Sequence, residues 1–258
     1  MTISRRVWLE PFQKDNMPNW ICPRCKVGIL RPIEDTFHFA ESGDIHAEIV
    51  QCGEYFDFDC YTFRYTVLLK CNNSLCEEHV ASGGDGYVDV NFSESNRGLE
   101  PNYVEIFVPQ FFFPPVFIFP IPIECPETVA SEIKISFKLF FADPSASANY
   151  VRKTVDAILT DRGVKRFSGG KGKRKPINLH DRIIDFEKKN SEIAKKLLAI
   201  KWLGNEGSHA NTMTKNDVLD AYEILEFVLD DLYVGYRKSV DKKVSKINKS
   251  KKPLHPST

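Results

Sequence analysis

The sequence has no excess of charge and no uninterrupted apolar run that could cross a bilayer. Its 35 basic and 35 acidic residues leave a formal net charge of zero. No apolar run follows the two arginines of MTISRRVWLE, so we expect no signal peptide. A long uncharged stretch, residues 106–123, contains five prolines, which remove backbone donors and break helices. We therefore expect a cytoplasmic protein without membrane contact, whose seven cysteines stay reduced.

The zero net charge hides a strong asymmetry along the chain. Residues 1–143 hold 11 basic and 21 acidic side chains, a net charge of −10. Residues 144–258 hold 24 basic and 14 acidic side chains, a net charge of +10. Such a split predicts two regions with different partners. The basic region suits a polyanion, and the acidic region suits a cationic partner or shields the basic one.

Hydrophobic periodicity predicts an α+β protein. The runs TFHFA, IHAEIV, YTFRYTVLLK and YVDVNF, with ESGD, NNS and SGGDG as turn signals, predict strands in a β domain over residues 1–105. Residues 106–125 are predicted to form an extended, proline-rich connector. From Pro126 the period becomes helical and predicts about five helices over residues 126–240. The lysine-rich tail, residues 241–258, is predicted to be disordered.

Two pairs of cysteines have the spacing of metal ligands. WICPRC contains Cys22 and Cys25, and LLKCNNSLC contains Cys71 and Cys76. A short spacing lets one tight turn present two sulfurs to one ion, and four thiolates form a tetrahedral zinc site. We therefore predict structural Zn²⁺ in a zinc-ribbon-like β domain. The alternative is four unrelated buried thiols, because free cysteine is commonly buried.

The remaining cysteines lie outside these two pairs. Cys52 and Cys60 are interpreted as spare thiols, although they could also be alternative ligands or part of a second metal site. That second site would be completed by His38, His46 or His79. Cys125, beside a proline, is predicted to be a packed core residue.

A polar stripe interrupts the helical pattern in KWLGNEGSH. Lys201, Asn205 and His209 are spaced so that they share one face of a helix. A polar stripe on a packed helix needs hydrogen-bonding partners. The partners expected on the second helix are Arg152, Lys153 and Asp156. Such a cluster can grip a phosphate and move a proton. The alternative is a satisfied buried polar network with His209 as a donor at the helix end.

Several motifs together resemble the bacterial family known as domain of unknown function 4145, over roughly residues 20–236. They are CPRC, CNNSLC, the proline-rich bridge, DPSASANYVRKTVDAIL, NLHDRI and WLGNEGSH. That family is similar to the HEPN superfamily of helical bundles, which includes metal-independent ribonucleases, toxins and proteins that only bind nucleotides or nucleic acid. It also occurs as an accessory domain in restriction and other phage-defence proteins. The resemblance implies a HEPN-like all-α bundle and a homodimer, because HEPN ribonucleases unite two motifs across a dimer.

The resemblance leaves three functions open. In the active HEPN pattern an arginine precedes a polar residue and a histidine, but here the arginine position falls on Gly204. The first hypothesis is therefore a nucleic-acid-binding accessory or sensor protein of bacterial defence, with a defence-system partner protein. The second is a divergent ribonuclease or toxin with His209 as general acid/base, Asn205 as an orienting group, and Lys201 and Arg152 stabilising the transition state. The third is a structural interaction module.

Two basic segments also favour RNA or DNA as a partner. The residues predicted to contact phosphate are Arg152, Lys171, Lys173, Arg174 and Lys175. The tail 237–252 adds eight basic residues against one acidic residue. Binding through phosphates weakens as salt rises and carries little sequence specificity. The alternative is a solvated tail that only aids solubility.

Overall fold

The computed structural model describes residues 3–57, 60–95, 98–169, 174–206 and 213–251. The chain divides into two compact units, and the predicted α+β class is confirmed. The sheet unit comprises Ser4–Ile118 and Phe137–Pro144. The helical unit comprises Met1–Ile3, Phe119–Ser136 and Ser145–Thr258. Within the described ranges, no helix has both the length and the apolarity needed to span a membrane.

The sheet unit is built on one antiparallel sheet. Its strands are β1 (Leu30–Pro32), β2 (His38–Glu41), β3 (Thr62–Cys71), β4 (His79–Ser95) and β5 (Gly98–Phe113). The order is β1-β3-β4-β5, and β2 also pairs with β3. Two helices, α1 (Arg6–Leu9) and α2 (Gly43–Cys52), and two short 3₁₀ turns, Glu34–Thr36 and Gly53–Tyr55, complete the regular structure of this unit.

The core of the sheet unit is aromatic and centres on Phe107, which is fully buried on β5. Its ring centroid lies 4.8 Å from that of Phe37, 5.2 Å from those of Phe63 and Tyr65, and 5.6 Å from that of Phe12. Most of these pairs are edge-to-face, the arrangement that ring quadrupoles favour. One face of the sheet is therefore covered by ring contacts from β3, β5, the residue before β2 and the N-terminal segment.

Three sequence-based assignments in this unit differ from the structure. IHAEIV is not a strand but part of α2, because the Ser42 side chain caps the helix by accepting a hydrogen bond from the Ile45 amide. SGGDG is not a turn but lies inside β4. A Cβ at Gly86 would come within 2.0 Å of the Phe63 ring, so glycine is needed there for close packing.

The third difference concerns the predicted connector over residues 106–125. Residues 106–113 belong to β5, and the sheet unit continues to Ile118. Pro109 is tolerated in this strand because β5 is an edge strand, and its register with β4 shifts next to Gly84, the partner of Pro109.

Six helices form most of the helical unit, and the last three residues of the first of them fall in the sheet unit. They are α3 (Glu127–Leu139), α4 (Pro144–Asp161), α5 (Leu179–Glu187), α6 (Ser191–Glu206), α7 (Lys215–Leu229) and α8 (Tyr236–Ser250). A hairpin of β6 (Phe167–Ser168) and β7 (Lys175–Pro176) joins α4 to α5. The first four helices agree with the prediction. The fifth, predicted to continue to Val240, ends at Leu229, and a π-helical segment, Asp230–Val234, separates it from α8. The tail predicted to be disordered from residue 241 is instead helical to Ser250.

Three buried hydroxyl groups connect α3, α4 and α7. The Tyr222 hydroxyl lies 2.8 Å from Ser136 Oγ and 2.9 Å from Ser147 Oγ, and all three residues are buried. Burial raises the pKa of Tyr222 well above its usual value. This network satisfies polar atoms inside an otherwise apolar core.

Arg182 of α5 is a buried anchor. Its guanidinium donates to Asp156 Oδ1, to Thr160 Oγ1 at 2.9 Å, and to the carbonyl oxygens of Val164 at 3.1 Å and Lys165 at 3.2 Å. These acceptors lie at the end of α4 and in the following loop, where carbonyl groups lack helical partners. Arg182 therefore holds the C-terminal end of α4 against α5.

We expect Arg182→Met to lower the free energy of unfolding of the helical unit by about 3 kcal/mol or more. The substitution removes the charge that balances Asp156 and leaves buried carbonyl oxygens without donors. Urea unfolding followed by circular dichroism measures the change. Arg174→Met, at an exposed position of the same unit, is the control and should leave the unfolding midpoint unchanged. Equal midpoints for both variants would show that Arg182 is not an anchor.

Candidate functional site

The four predicted metal ligands converge on one point of the sheet unit. Cys22 and Cys25 lie in a turn that leads into β1, while Cys71 ends β3 and Cys76 lies in the turn before β4. Pairing of β1 with β3, with Leu30 opposite Cys71, brings the two turns together. The register of β1 with β3 thus brings the four cysteines together.

The sulfur positions fit a tetrahedral ion. All four sulfur atoms lie within 4.8 Å of one another. Cys22 Sγ is 3.8 Å from Cys76 Sγ, and Cys25 Sγ is 3.6 Å from Cys71 Sγ. Sulfurs bound at about 2.3 Å at the corners of a tetrahedron lie about 3.8 Å apart. These distances far exceed a disulfide bond, and all four cysteines are free thiols.

The two turns share the same local geometry. Lys26 follows Cys25 with a φ of 59°, and Glu77 follows Cys76 with a φ of 51°. The Gly28 amide donates to Cys25 Sγ at 3.3 Å, and the Asn73 amide lies 3.5 Å from Cys71 Sγ. Each turn therefore directs a backbone N–H at a sulfur, which favours the thiolate that a metal requires.

Gly28 makes the approach of the two turns possible. A Cβ at this position would lie 2.4 Å from Cys71 Sγ and 3.0 Å from Asn73 Cβ. Both distances are shorter than van der Waals contact, so any side chain here would push Cys71 away. Cysteine spacing alone does not reveal this requirement.

The thiols differ in how readily they lose a proton. Hydrogen bonds from the backbone amides of Gly28 and Val27 lower the pKa of Cys25 to about 6. Burial raises the pKa of Cys71 to about 12, and burial also raises the pKa of Cys22. A cation at the centre would offset the cost of the buried thiolates. The cluster therefore suits a positively charged ion.

The other cysteines lie outside the cluster. Among the described residues, only Cys22, Cys25, Cys71 and Cys76 form a group with metal-ligand spacing. Cys52 is half-buried, Cys60 is exposed and Cys125 is buried. His46, considered for a second site, instead pairs with Glu41 through Nδ1 at 2.7 Å.

A cleft of about 690 Å³ in the helical unit contains the second candidate site. Arg152, Lys153 and Arg166 are its basic lining residues, and Glu132 and Asp156 are among the acidic ones. Nε of Arg152 and Oε2 of Glu132 are buried, and neither has a hydrogen-bond partner in the described part of the chain. A buried guanidinium N–H without a partner is an unsatisfied donor, and the guanidinium that carries it belongs to a residue that lines the cleft.

Two acidic side chains of the cleft are balanced by other groups. Asp156 accepts from Arg182 through Oδ1 and lies 3.5 Å from Arg166 through Oδ2. Asp161 accepts from the Tyr233 hydroxyl at 3.0 Å and pairs with Arg162 at 3.3 Å. Among the described residues that line the cleft, Glu132 is then the acidic side chain left to balance the charges of Arg152 and Lys153.

Gly204 packs directly against Arg152. A Cβ at 204 would lie 2.9 Å from Arg152 Cβ and 3.2 Å from the Ala148 carbonyl oxygen. The absent side chain on α6 therefore leaves room for the stem of an arginine from α4. This packing gives a structural reason for glycine at the position where the HEPN pattern has arginine.

The other members of the predicted polar stripe are only partly described. Lys201 is 8% exposed, and its ammonium lies 3.5 Å from the centre of the Trp202 ring. The described residues that line the cleft do not include Lys201. Asn205 lies in α6, and His209 lies outside the described residues.

The basic loop is attached to the cleft. Arg174 and Lys175 are exposed at the start of β7, whereas Lys171 and Lys173 lie outside the described residues. The hairpin continues to Arg166, whose carbonyl oxygen accepts from the Ile177 amide at 2.9 Å. The hairpin that carries Arg174 and Lys175 is thus joined to the cleft at Arg166, a lining residue that the sequence pattern does not single out.

We expect Gly28→Ala to lower the amount of bound metal well below the value of about one ion per chain expected for a four-thiolate site. The added methyl group would displace Cys71 from its position in the cluster. Elemental analysis of purified protein measures both the amount and the identity of the metal.

Two matched variants control for general effects of substitution in the sheet unit. Gly43→Ala adds the same methyl group where no atom lies within 4 Å, and Cys52→Ser removes a thiol outside the cluster. Both should retain full metal content. A Gly28→Ala protein with full metal content would disprove the packing argument, and metal-free wild-type protein would disprove the site.

The matches to known families divide the chain near the boundary between the sheet unit and the helical unit. Residues 10–112 match the model of a family described as Domain of unknown function (DUF8608). No curated protein and no solved structure matches the chain. Residues 134–250 match the model of a family described as Domain of unknown function (DUF4145), which supports the predicted relationship of the helical region to that family.

Proposed function

We propose that this protein is a zinc-containing nucleic-acid-binding protein. Zn²⁺ would hold the turns of a zinc-ribbon-like sheet unit, and the cleft of a HEPN-like helical unit would bind phosphate groups of RNA or DNA. The observation that carries the proposal is the guanidinium of Arg152, which lines an open cleft with an unsatisfied N–H.

Zinc is the metal that best fits the cysteine cluster. Four thiolates are soft donors, and tetrahedral thiolate sites select zinc or iron–sulfur centres over magnesium or calcium. The sulfur separations of 3.6 and 3.8 Å agree with a single tetrahedral ion. Because protein sulfurs would occupy all four positions, the role is structural: the ion would have no open coordination site for a substrate.

A phosphate backbone is the ligand that best fits the cleft. Guanidinium groups match phosphate oxygens in planar, bidentate geometry. The cleft is lined by Arg152, Lys153 and Arg166, and the exposed cations Arg174 and Lys175 belong to the hairpin segment that begins next to Arg166. A row of cations beside an open cleft suits a polymer of phosphates better than a single small anion. No base-reading motif accompanies the row, so binding would depend little on sequence.

The biological setting follows from the family resemblance. We place the protein among accessory or sensor proteins of bacterial anti-phage defence, acting in the cytoplasm with a partner protein. Sequencing of the nucleic acid that co-purifies from cells tests this setting. A defined RNA or DNA would support it, and an absence of nucleic acid together with no binding in solution would contradict it.

We expect Arg152→Gln to weaken binding of labelled single-stranded RNA and DNA uniformly across sequences. Loss of one phosphate contact should reduce the slope of log K against log salt by about 0.7. Fluorescence anisotropy over a range of salt concentrations measures both quantities. Lys195→Gln removes a charge on the exposed surface of α6, outside the cleft, and serves as the control. Equal losses in the two variants would assign binding to net charge rather than to the cleft.

One observation favours a second candidate, a metal-independent endoribonuclease. The stem of Arg152 lies against Gly204, so α4 brings a guanidinium to the helix turn where the HEPN pattern places its own arginine. In this reading Arg152 would stabilise the transition state, and His209 would act as general acid/base with Asn205 orienting it. Lys201, which stacks on Trp202, would be a less direct contributor.

We expect an active ribonuclease to cleave single-stranded RNA in the presence of EDTA, and to lose cleavage in both His209→Ala and Arg152→Gln. Gel analysis of RNA fragments measures the effect. Lys195→Gln should cleave at the wild-type rate. Intact RNA with the wild-type protein would exclude this candidate without affecting the binding proposal. If the wild-type protein neither binds nor cleaves nucleic acid, the remaining hypothesis is a structural interaction module.

A further inference from the structure

The two longest strands extend beyond the rest of the sheet as a ribbon. Pairing of β3 with β4 ends at Tyr87, and the Val88 amide makes one further bond to the Tyr61 carbonyl oxygen. From there to Ser95, in the described part of the chain, β4 pairs with β5 alone. We call residues 88–95 and 98–105 the ribbon.

The register of the ribbon gives it one apolar face. Val88 lies opposite Glu105, Val90 opposite Tyr103 and Phe92 opposite Pro101, and directly opposed residues share a face. Leu99, two positions before Pro101 on β5, lies on the same face. The other face has Asp89 opposite Val104 and Asn91 opposite Asn102. Alternation along the strands thus separates mainly apolar from mainly polar side chains.

The apolar face of the ribbon continues the core face of the sheet. Leu99 and Phe107 are eight positions apart on β5, and an even offset places their side chains on the same side of the strand. Phe107 is fully buried, whereas Leu99 is 70% exposed and Phe92 is 68% exposed. In the described part of the chain, the apolar face that is buried at Phe107 is therefore exposed to solvent along the ribbon. A two-stranded ribbon is at best marginally stable in water, so this face calls for a partner.

Helix α8 presents a second exposed apolar stripe. Val240, Val244 and Ile247 recur at helical spacing on one side, and the last two are 48% and 43% exposed. Residues 239–251 also carry five lysines and one aspartate. An amphipathic helix of this kind forms stably when its apolar side is packed.

The charges of the two elements are complementary. Residues 88–105 carry four acidic residues and one basic residue, which opposes contact with nucleic acid or an anionic lipid surface. The same charges attract the lysine-rich α8. The dimensions also match, since eight residues of β4 span about 26 Å and the 15 residues of α8 span about 22 Å.

We propose that the apolar face of the ribbon binds α8 of a second copy of this chain, and that two copies exchange this contact reciprocally. Each chain supplies one ribbon and one helix, so a reciprocal exchange between two copies would form a closed two-fold dimer. Two contacts about 22 Å long and 10 Å wide bury roughly 900 Å² in total, the size of a weak interface. We therefore expect a weak dimer that forms only at high protein concentration. It differs from a dimer through the helical bundle, which the HEPN resemblance implies.

Sedimentation equilibrium of the full chain tests the dimer. The wild type should reach twice its chain mass of 29.5 kDa at high micromolar concentration. Phe92→Ser with Leu99→Ser in the ribbon, and Val244→Ser with Ile247→Ser in α8, should each give monomers with unchanged circular dichroism spectra. The control, Val50→Ser with Ile123→Ser, changes two exposed apolar residues elsewhere and should remain dimeric.

Zero-length carbodiimide cross-linking shows which surfaces meet. A mixture of ¹⁵N-labelled and unlabelled chains should give mixed-isotope peptides that join the ribbon acids Asp89, Glu100 or Glu105 to lysines of α8. Mass spectrometry distinguishes these products from links within one chain, which carry a single isotope composition.

Four outcomes would overturn the inference. The wild type could remain monomeric at every concentration, or it could form polymers of open-ended mass. The α8 variant could remain dimeric while the ribbon variant does not, which would indicate contact between two ribbons. Ribbon-to-α8 links of a single isotope composition would assign the contact to one chain.

Discussion

Bringing four sulfur atoms within 4.8 Å of one another is the constraint on which the sheet unit depends. Burial raises the pKa of Cys71 to about 12, so a buried thiolate there needs a nearby positive charge. The cluster also joins the segment before β1 to the turn between β3 and β4, which are far apart in sequence. A metal at this point would therefore act as a cross-link that a small aromatic core cannot replace.

The helical unit depends on electrostatic interactions that fix the positions of its helices. Arg182 is buried and binds Asp156, and Tyr233 and Arg162 bind Asp161. These pairs occupy acidic groups that would otherwise compete for Arg152. The same interactions that hold α4 against α5 thus determine which cation remains available in the cleft. If the cleft binds phosphate as proposed, stability and binding depend on one set of side chains in this unit.

Features set by local spacing could be predicted from the sequence, whereas features set by packing could not. Two short cysteine spacings sufficed to predict which four cysteines cluster, and helical periodicity located the first five helices of the helical unit. IHAEIV was misassigned because β-branched residues favour strands, while the cap at Ser42 favours a helix. Gly28 and Gly204 have roles only because other segments approach them, and a sequence does not reveal that proximity.

The prolines of β5 have a consequence for how the exposed sheet edge behaves. Pro101 and Pro109 both lie in this edge strand, and neither has a backbone N–H. A strand from another molecule that tried to extend the sheet would meet an interrupted row of donors. The chain can therefore carry a long ribbon with exposed aromatic side chains and still resist the endless strand-on-strand growth that leads to fibrils.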